Sequence, residues 1–400
     1  MQEVSAADLE RLRSGAPPMD PGLLEAMTAG EEVWLNPFVQ HYLNQHIPSG
    51  GSKVKVIVGP RGSGKTHMLR RIQHEAIKLG YTAVFLSARE ETWRLGDVVS
   101  LYRAIASQID REELLRGVSL LVARRLGYGP EDYDGSGSIL PLMVEQERHP
   151  IEIARREIRK AAGQAFAGGD MTASFHTFLY TIIAHHMMDH QQAVLDACWK
   201  WILGEKLDPA ERNLTKLFDR LTKPSARVWF YSLIRLLRLS RKTGLVILMD
   251  DFEALTERDP ETGRFRYTPN AAKDAFELIR QLIDDVELLE HFLLVIGVRP
   301  EAVLDEKRGI RSYEALWMRL QSGLIQTSCF NPLADMVDLE SHNRAAGGDA
   351  FPEAAVSRLR TAMEAHGYVF RFARVEPSDH DSPLVKAVKQ TAGMMQKVRS

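Results

Sequence analysis

The chain has 400 residues, more than a single hydrophobic core organises, so two or three subdomains are expected. Hydrophobic residues make up 44% and charged residues 26%, the composition of a soluble globular protein. The net charge of -2 excludes a global pull towards nucleic acid, so any DNA contact has to come from a local patch. Cys198 and Cys329 are far apart and lack metal-ligand spacing, which argues against a disulfide framework and fits a reducing cytosol.

Met1 to Gly15 carries Glu3, Asp8 and Glu10 and has no apolar core, so it does not read as a signal peptide. No apolar run is long enough to span a bilayer, and the expectation is a cytoplasmic protein without membrane contact. Residues 1–30, with Pro17, Pro18 and Pro21 between short helical fragments, read as a loosely attached lead-in. Glu31 to His46 has Trp34, Phe38 and Tyr42 on one helical face. That spacing reads as core packing, with a place near a bound base as the alternative.

Lys53 to Val58 reads as a short buried strand, and Met68 to Leu79 as a helix burying Leu69, Ile72 and Ile77. Between them stands Gly59-Pro60-Arg61-Gly62-Ser63-Gly64-Lys65-Thr66, which satisfies G-x-x-x-x-G-K-[ST] at every fixed position. Glycines at these places let the chain wrap so that backbone N–H groups face phosphates, and the helix start favours their charge. Lys65 would reach the β- and γ-phosphates and the Thr66 hydroxyl would hold Mg²⁺. A strand before the loop and a helix after it make a nucleoside triphosphate site the reading, over a plain glycine turn.

Thr82 to Ser87 reads as a second strand. Residues 90–224 then carry helical segments and loops without a convincing strand, a helical insertion within the nucleotide domain. Inside it His185, His186 and His190 lack an acidic or cysteine partner, so ordinary partly buried histidines are preferred over a metal site. Ser225 to Lys242 reads as a helix behind Pro224, ended by Gly244, with Val228, Tyr231, Leu236 and Leu239 to bury. Its Arg227, Arg235, Arg238, Arg241 and Lys242 form a solvated face, or alternatively a DNA- or partner-binding patch.

Leu245 to Met249 is fully apolar and runs into Asp250, Asp251 and Glu253. An apolar strand ending in carboxylates is the expected companion of a phosphate loop. Asp250 would orient Mg²⁺, Asp251 would polarise the attacking water, and Glu253 is a longer-armed reserve. A helix is expected from a cap at Asn270 to about Glu287, a strand at Phe292 to Gly297 with Arg299 at its exit, and a fifth strand at Leu324 to Phe330. Residues 331–400 read as helices with a β-like run at Tyr368 to Val375.

The phosphate loop follows the first strand, the acidic strand comes third, and a strand with a polar exit comes fourth. This order suits the AAA+ branch of phosphate-loop ATPases: a central parallel five-stranded sheet, a large helical insertion and a mainly helical C-terminal segment. The core would be 31–89 with 225–330, the insertion 90–224, and 331–400 a lid or partner-docking segment. In that branch the fourth strand's exit senses the γ-phosphate, a position Arg299 would fill. An arginine before the fifth strand completes a neighbouring subunit's site, with Arg319 the first choice and Arg311 the second. Arg358 or Arg360 would reach the nucleotide from a lid.

The residues Trp201 to Glu205, Gly244 to Glu253, and Arg299-Pro300-Glu301 leading to Arg308–Leu316 with Arg319-Leu320 narrow the reading further. Over roughly 30–335 the chain resembles the ATP-binding proteins of BREX (bacteriophage exclusion) systems, the BrxD type in particular. The resemblance implies an antiphage-defence ATPase that uses ATP and Mg²⁺, acts as a homo-oligomer on double-stranded DNA, and works beside a helicase and other defence proteins. It departs at two places. Asp250-Asp251 replaces the family's Asp-Glu, so water activation rests on a shorter arm. Arg299-Pro300-Glu301 lacks the Thr of the family's Gly-Thr-Pro-Glu, so Arg299 stands where the sensor would be. The alternatives are a nucleotide-gated adaptor with little turnover and, more weakly, a phosphate-loop kinase.

Overall fold

The computed structural model describes residues 4–147, 150–167, 171–189, 191–320, 330–371, 378 and 380–397. Its centre is a five-stranded, all-parallel sheet: β1 (Ser52–Val58), β2 (Thr82–Ser87), β3 (Leu245–Asp250), β4 (Phe292–Val298) and β5 (Met336–Asp338). The spatial order is β2-β3-β4-β1-β5, so β4 lies between the strand before the glycine loop and the strand that ends in Asp250.

Strand periodicity of two sorts the sheet residues onto two covered faces. Leu245, Ile247, Met249, Phe292, Leu294 and Ile296 join one core; Val246, Leu248, Leu293 and Val295 join the other. The first core runs without a break into the helices between β2 and β3, among them Val98–Ala106, Arg111–Leu126 and Ala173–Ala184. Trp201 and Trp229, with ring centroids 4.4 Å apart, weld those helices to Lys223–Leu239. The described residues between β2 and β3 carry no strand, as expected.

The second face is covered by Lys65–Lys78 and by the aromatic segment. Trp34, Phe38 and Tyr42 are buried there as core, but the segment is a short α-helix, Leu35–Phe38, followed by the π-helix Val39–His46. Its wider turns are closed by bonds such as Ile47 N to Tyr42 O at 3.0 Å. Three successive carbonyls leading into β5 are caught by side chains from this layer. Trp34 Nε1 donates to Pro332 O at 2.9 Å, Tyr42 Oη to Leu333 O at 3.2 Å, and Lys55 Nζ to Ala334 O at 2.5 Å.

Several expectations are corrected. The fifth strand of the sheet is Met336–Asp338, and Leu324 to Cys329 lie outside the described residues. Ile77 is 56% exposed; Met68, Leu69, Ile72 and Ala76 hold the helical stripe that 3.6-residue periodicity requires. The later helix starts at Thr268, whose side chain accepts from Ala271 N ahead of Pro269, instead of at Asn270. Val228 is exposed on Lys223–Leu239, which ends at left-handed Arg241 before Gly244 is reached. Four residues of the basic stripe have internal partners, Arg227 with Asp285, Arg235 with Glu290, Lys242 with Glu113, and Arg238 donating to the carbonyls of Lys242 and Thr243, while Arg241 is exposed.

Residues 4–30 are packed instead of loose. Leu12 and Leu23 are buried in a third core with Leu359, Met363, Ala392 and Met395, so the two ends of the chain fold as one layer, which meets the helix Lys65–Lys78 through Pro21–Ala26. The outer edge of β2 is blunted by Gln108, which accepts from Phe85 N at 3.1 Å and donates to Phe85 O at 2.9 Å. No described helix is long and apolar enough to cross a membrane.

Candidate functional site

Parallel strands deliver their C-terminal ends to one rim of a sheet, and in open α/β sheets that rim is where ligands bind. Here β1 delivers the glycine loop to it, β2 delivers Ser87 and Arg89, β3 delivers Asp250 and Asp251, and β4 delivers Arg299. The loop turns through left-handed Gly62 (φ 78°) and Gly64 (φ 101°), and Gly64 caps the helix that starts at Lys65. A Cβ on Gly59 would stand 2.4 Å from Ser63 Oγ and 3.2 Å from Leu339 Cβ, so a side chain there would crowd the loop and turn the Ser63 hydroxyl away.

Lys65 folds back over the loop, donating to Gly59 O at 2.7 Å and Pro60 O at 2.9 Å. Burial pushes its pKa down, while Glu253 and Asp250 oppose that shift. Thr66 Oγ1 donates to Asp250 Oδ2 at 2.6 Å, and Asp250 Oδ1 accepts from Asp251 N at 2.9 Å. The pair joins the two stretches that the sequence singles out. Gly297 on β4 makes room for it: a Cβ there would lie 3.0 Å from Asp250 Oδ1. Burial raises the pKa of Asp250 and of Glu253, against the nearby charge of Lys65 and, for Glu253, of Arg299.

Asp251 is left-handed (φ 56°), and both its oxygens are held: Ser87 Oγ donates to Oδ2 at 2.7 Å and Arg89 Nε meets Oδ1 at 3.1 Å. Arg299 Nε meets Glu253 Oε1 at 2.9 Å and its Nη1 meets Glu257 Oε1 at 3.0 Å. Arg89 Nη2 meets Glu257 Oε2 at 2.7 Å, so Glu257 bridges the two arginines. Glu253 Oε2 and Ser63 Oγ are buried and have no hydrogen-bond partner among the described residues.

The loop opens into a cavity of about 350 Å³ whose other walls come from both ends of the chain. Arg11, Gly15, Ala16, Pro17 and Met27 line one side, and Leu339, Phe351, Val385 and Lys389 another. Ser382 Oγ donates to Gly62 O at 2.9 Å, and a Cβ on Gly62 would stand 2.7 Å from Val385 Cγ2, so the helix Pro383–Gly393 rests on the loop itself. His67, against the same cavity, is paired with Thr28 Oγ1 at 2.9 Å; burial, with Arg71, brings its pKa down to about 4, so it is neutral at pH 7.

The residues present fit a nucleoside triphosphate with a hard divalent cation. The loop supplies glycine backbone and a lysine, an orphaned Ser63 hydroxyl waits in it, and Thr66 with Asp250 offers the oxygen ligands such a cation takes. Gly59, Pro60, Arg61, Gly62, Ser63, Gly64, Lys65, Thr66, Asp250, Asp251, Glu253 and Arg299 all gather at this rim. Arg319 does not line the cavity; its Nη2 donates to Asp284 Oδ2 at 2.8 Å. Arg311 pairs with Glu306 at 3.3 Å. Arg358 lies 3.8 Å from Glu31 and Arg360 stacks over Phe370, so neither lines the cavity.

Ser87, Arg89 and Glu257 escape sequence reasoning because strand adjacency brings them in: Ser87 is in register with Asp250 across the β2–β3 pair. Arg11 and Ser382 escape it because they reach the site from the two ends of the chain. Among the described residues, neither His185 nor His186 belongs to a group that could hold a metal ion. His186 is buried with Nε2 3.0 Å from Gly135 O, and His190 lies outside the described residues. The cluster Glu25–His74–Glu75 is threaded by Arg71 and Lys78, whose ion pairs account for it.

No curated protein and no solved structure matches this chain. A family model does, over residues 2–346, which takes in the glycine loop, the acidic strand, β4 and the N-terminal wall of the cavity. The chain belongs to the family of the BREX system ATP-binding proteins BrxC/D.

Proposed function

We propose that this ATP-binding protein of phage defence is a Mg²⁺-dependent AAA+ ATPase that couples ATP turnover to the remodelling of DNA or partner proteins. The observation that carries the reading is the 2.6 Å contact between Thr66 and Asp250, which joins the phosphate loop to the acidic strand end and supports a cation position shared by the two. ATP would draw Lys65 from the loop carbonyls to the phosphates, and Mg²⁺, which neutralises developing phosphate charge, would be held by Thr66 and Asp250. Asp251, a third of its side chain exposed, is the carboxylate that meets water. Glu253, almost fully buried, aims Arg299 towards the terminal phosphate from the exit of β4. The position of β4 between β1 and β3 supports the AAA+ assignment, since it brings a polar strand exit to the γ-phosphate end. Arg319 would complete a neighbouring copy's site.

A second reading is favoured by Asp251, whose two oxygens are already engaged by Ser87 and Arg89. A protein resting in that state binds ATP, turns it over slowly, and signals occupancy to a helicase or other defence partner. Steady-state phosphate release with Mg-ATP, across protein concentration and with or without duplex DNA, separates the two. Turnover that rises with concentration or DNA and disappears in Lys65→Ala supports the ATPase. Tight ATP binding with no turnover in any condition leaves the gated adaptor.

A further inference from the structure

We propose that Arg11, on the N-terminal helix Ala6–Arg13, is a ligand to the phosphate chain, supplied by the protein to its own cavity; this rests on the nucleotide reading above. Four cationic side chains line the cavity: Arg11, Arg61, Lys65 and Lys389. They are not equivalent. Lys389 is neutralised by Asp381 at 2.8 Å. Lys65 is the loop's own lysine, bonded to loop carbonyls. Arg61 is exposed at the loop tip, where water solvates it. Arg11 is partly buried, and among the described residues it forms no ion pair; its Nε donates to Pro17 O at 2.7 Å.

A guanidinium partly withdrawn from water without a counter-ion carries some of that cost, and an anion entering the cavity offsets it. Arg11 also lies near enough to Arg70 on the phosphate-loop helix that, after burial, its charge lowers the Arg70 pKa, against Asp250 and Glu90. The Arg11 fork is also preorganised. Its Nε is tied to Pro17 O, and the next residue, Leu12, is fully buried in the core shared with Met363 and Ala392. A planar fork lining the same cavity as the phosphate loop can match two phosphate oxygens at once, which a lysine cannot reproduce.

The competing role is structural: Arg11 in the last turn of its helix, holding the Ser14–Pro17 bend. That role is indifferent to how many phosphates the ligand carries. The test is calorimetric binding of AMP, ADP and ATP to wild type, Arg11→Gln and Arg11→Lys, with melting temperatures of the nucleotide-free proteins. The assignment requires Arg11→Gln to lose about tenfold or more for ATP and ADP, with AMP changed far less. Arg11→Lys should recover part of the loss, and it alone decides the matter if Arg11→Gln fails to fold. Losses equal for all three nucleotides, or no loss, overturn the assignment and leave a structural arginine. Wild type that binds none of the three sinks the nucleotide reading, a result distinct from wild type and variant binding the series identically.

Discussion

Lys55 Nζ donates to Ala334 O at 2.5 Å from the middle of β1, a fully buried ammonium pinned beneath the ring of Tyr42. Burial brings the Lys55 pKa down to about 7, against opposition from Asp335 and with help from Lys53. Below about pH 7 the amine is charged in both the folded and the unfolded chain, and the folded state carries the whole cost of burying it. Between about 7 and its ordinary value of 10.5 the unfolded chain binds more protons, so stability rises with pH. Lys55→Met should remove that rise. Urea unfolding at several pH values from 6.5 to 10 should give wild type a slope steeper by roughly 1 kcal/mol per pH unit within the window. Parallel profiles would show that the amine is solvated or charged in the fold.

Gly297 is placed to report on the cation position. Alanine there puts a Cβ against Asp250 and Leu69, each 3.0 Å from it. Overpacking of this kind costs on the order of 1–3 kcal/mol. Beyond that loss, Gly297→Ala should weaken ATP binding in Mg²⁺ while leaving binding in EDTA nearly unchanged. A uniform loss in both buffers would place the cation elsewhere.

The division of labour between the carboxylates is open to direct measurement. Asp251→Asn should keep ATP affinity within a few-fold and lower phosphate release by about 100-fold or more. Arg89→Met should release Asp251 from one of its two partners and raise basal turnover. If Glu253→Gln abolishes turnover while Asp251→Asn leaves it intact, the buried carboxylate is the base and the roles are reversed.

Arg319 makes an ion pair with Asp284 near the surface, a contact worth under about 1 kcal/mol in isolation. As a residue acting in a neighbouring site, it predicts complementation. Arg319→Ala and Lys65→Ala proteins, each inactive alone, should release phosphate when mixed, because one contributes an intact site and the other an intact arginine. Mixtures as inactive as their components would leave Arg319 a surface residue.

Much of the rim was legible because its signals are local. The glycine loop from Gly59 to Thr66 and the apolar run into Asp250 each carry their own pattern, and four of the five strands fall where that pattern puts them. What periodicity cannot encode is adjacency. Arg89 follows an ordinary strand and becomes a partner of Asp251 only because β2 pairs with β3. Arg11 looks like any basic residue at a helix end until the core that buries its neighbour Leu12, built from both ends of the chain, sets it on the wall of the loop's cavity. β5, Met336–Asp338, escapes the pattern because a three-residue strand carries too little of it to find. Its place is set by Trp34, Tyr42 and Lys55, which capture the carbonyls before it.

The Gln108 amide on β2 bears on how copies of this protein can meet. One edge of the sheet is already answered by a side chain imitating backbone, and the other is a strand of three residues. Among the described residues neither edge offers a long open ladder for a second sheet to extend. A homo-oligomer of the proposed ATPase would therefore join its copies through helical surfaces and loop tips, leaving each sheet out of the joint.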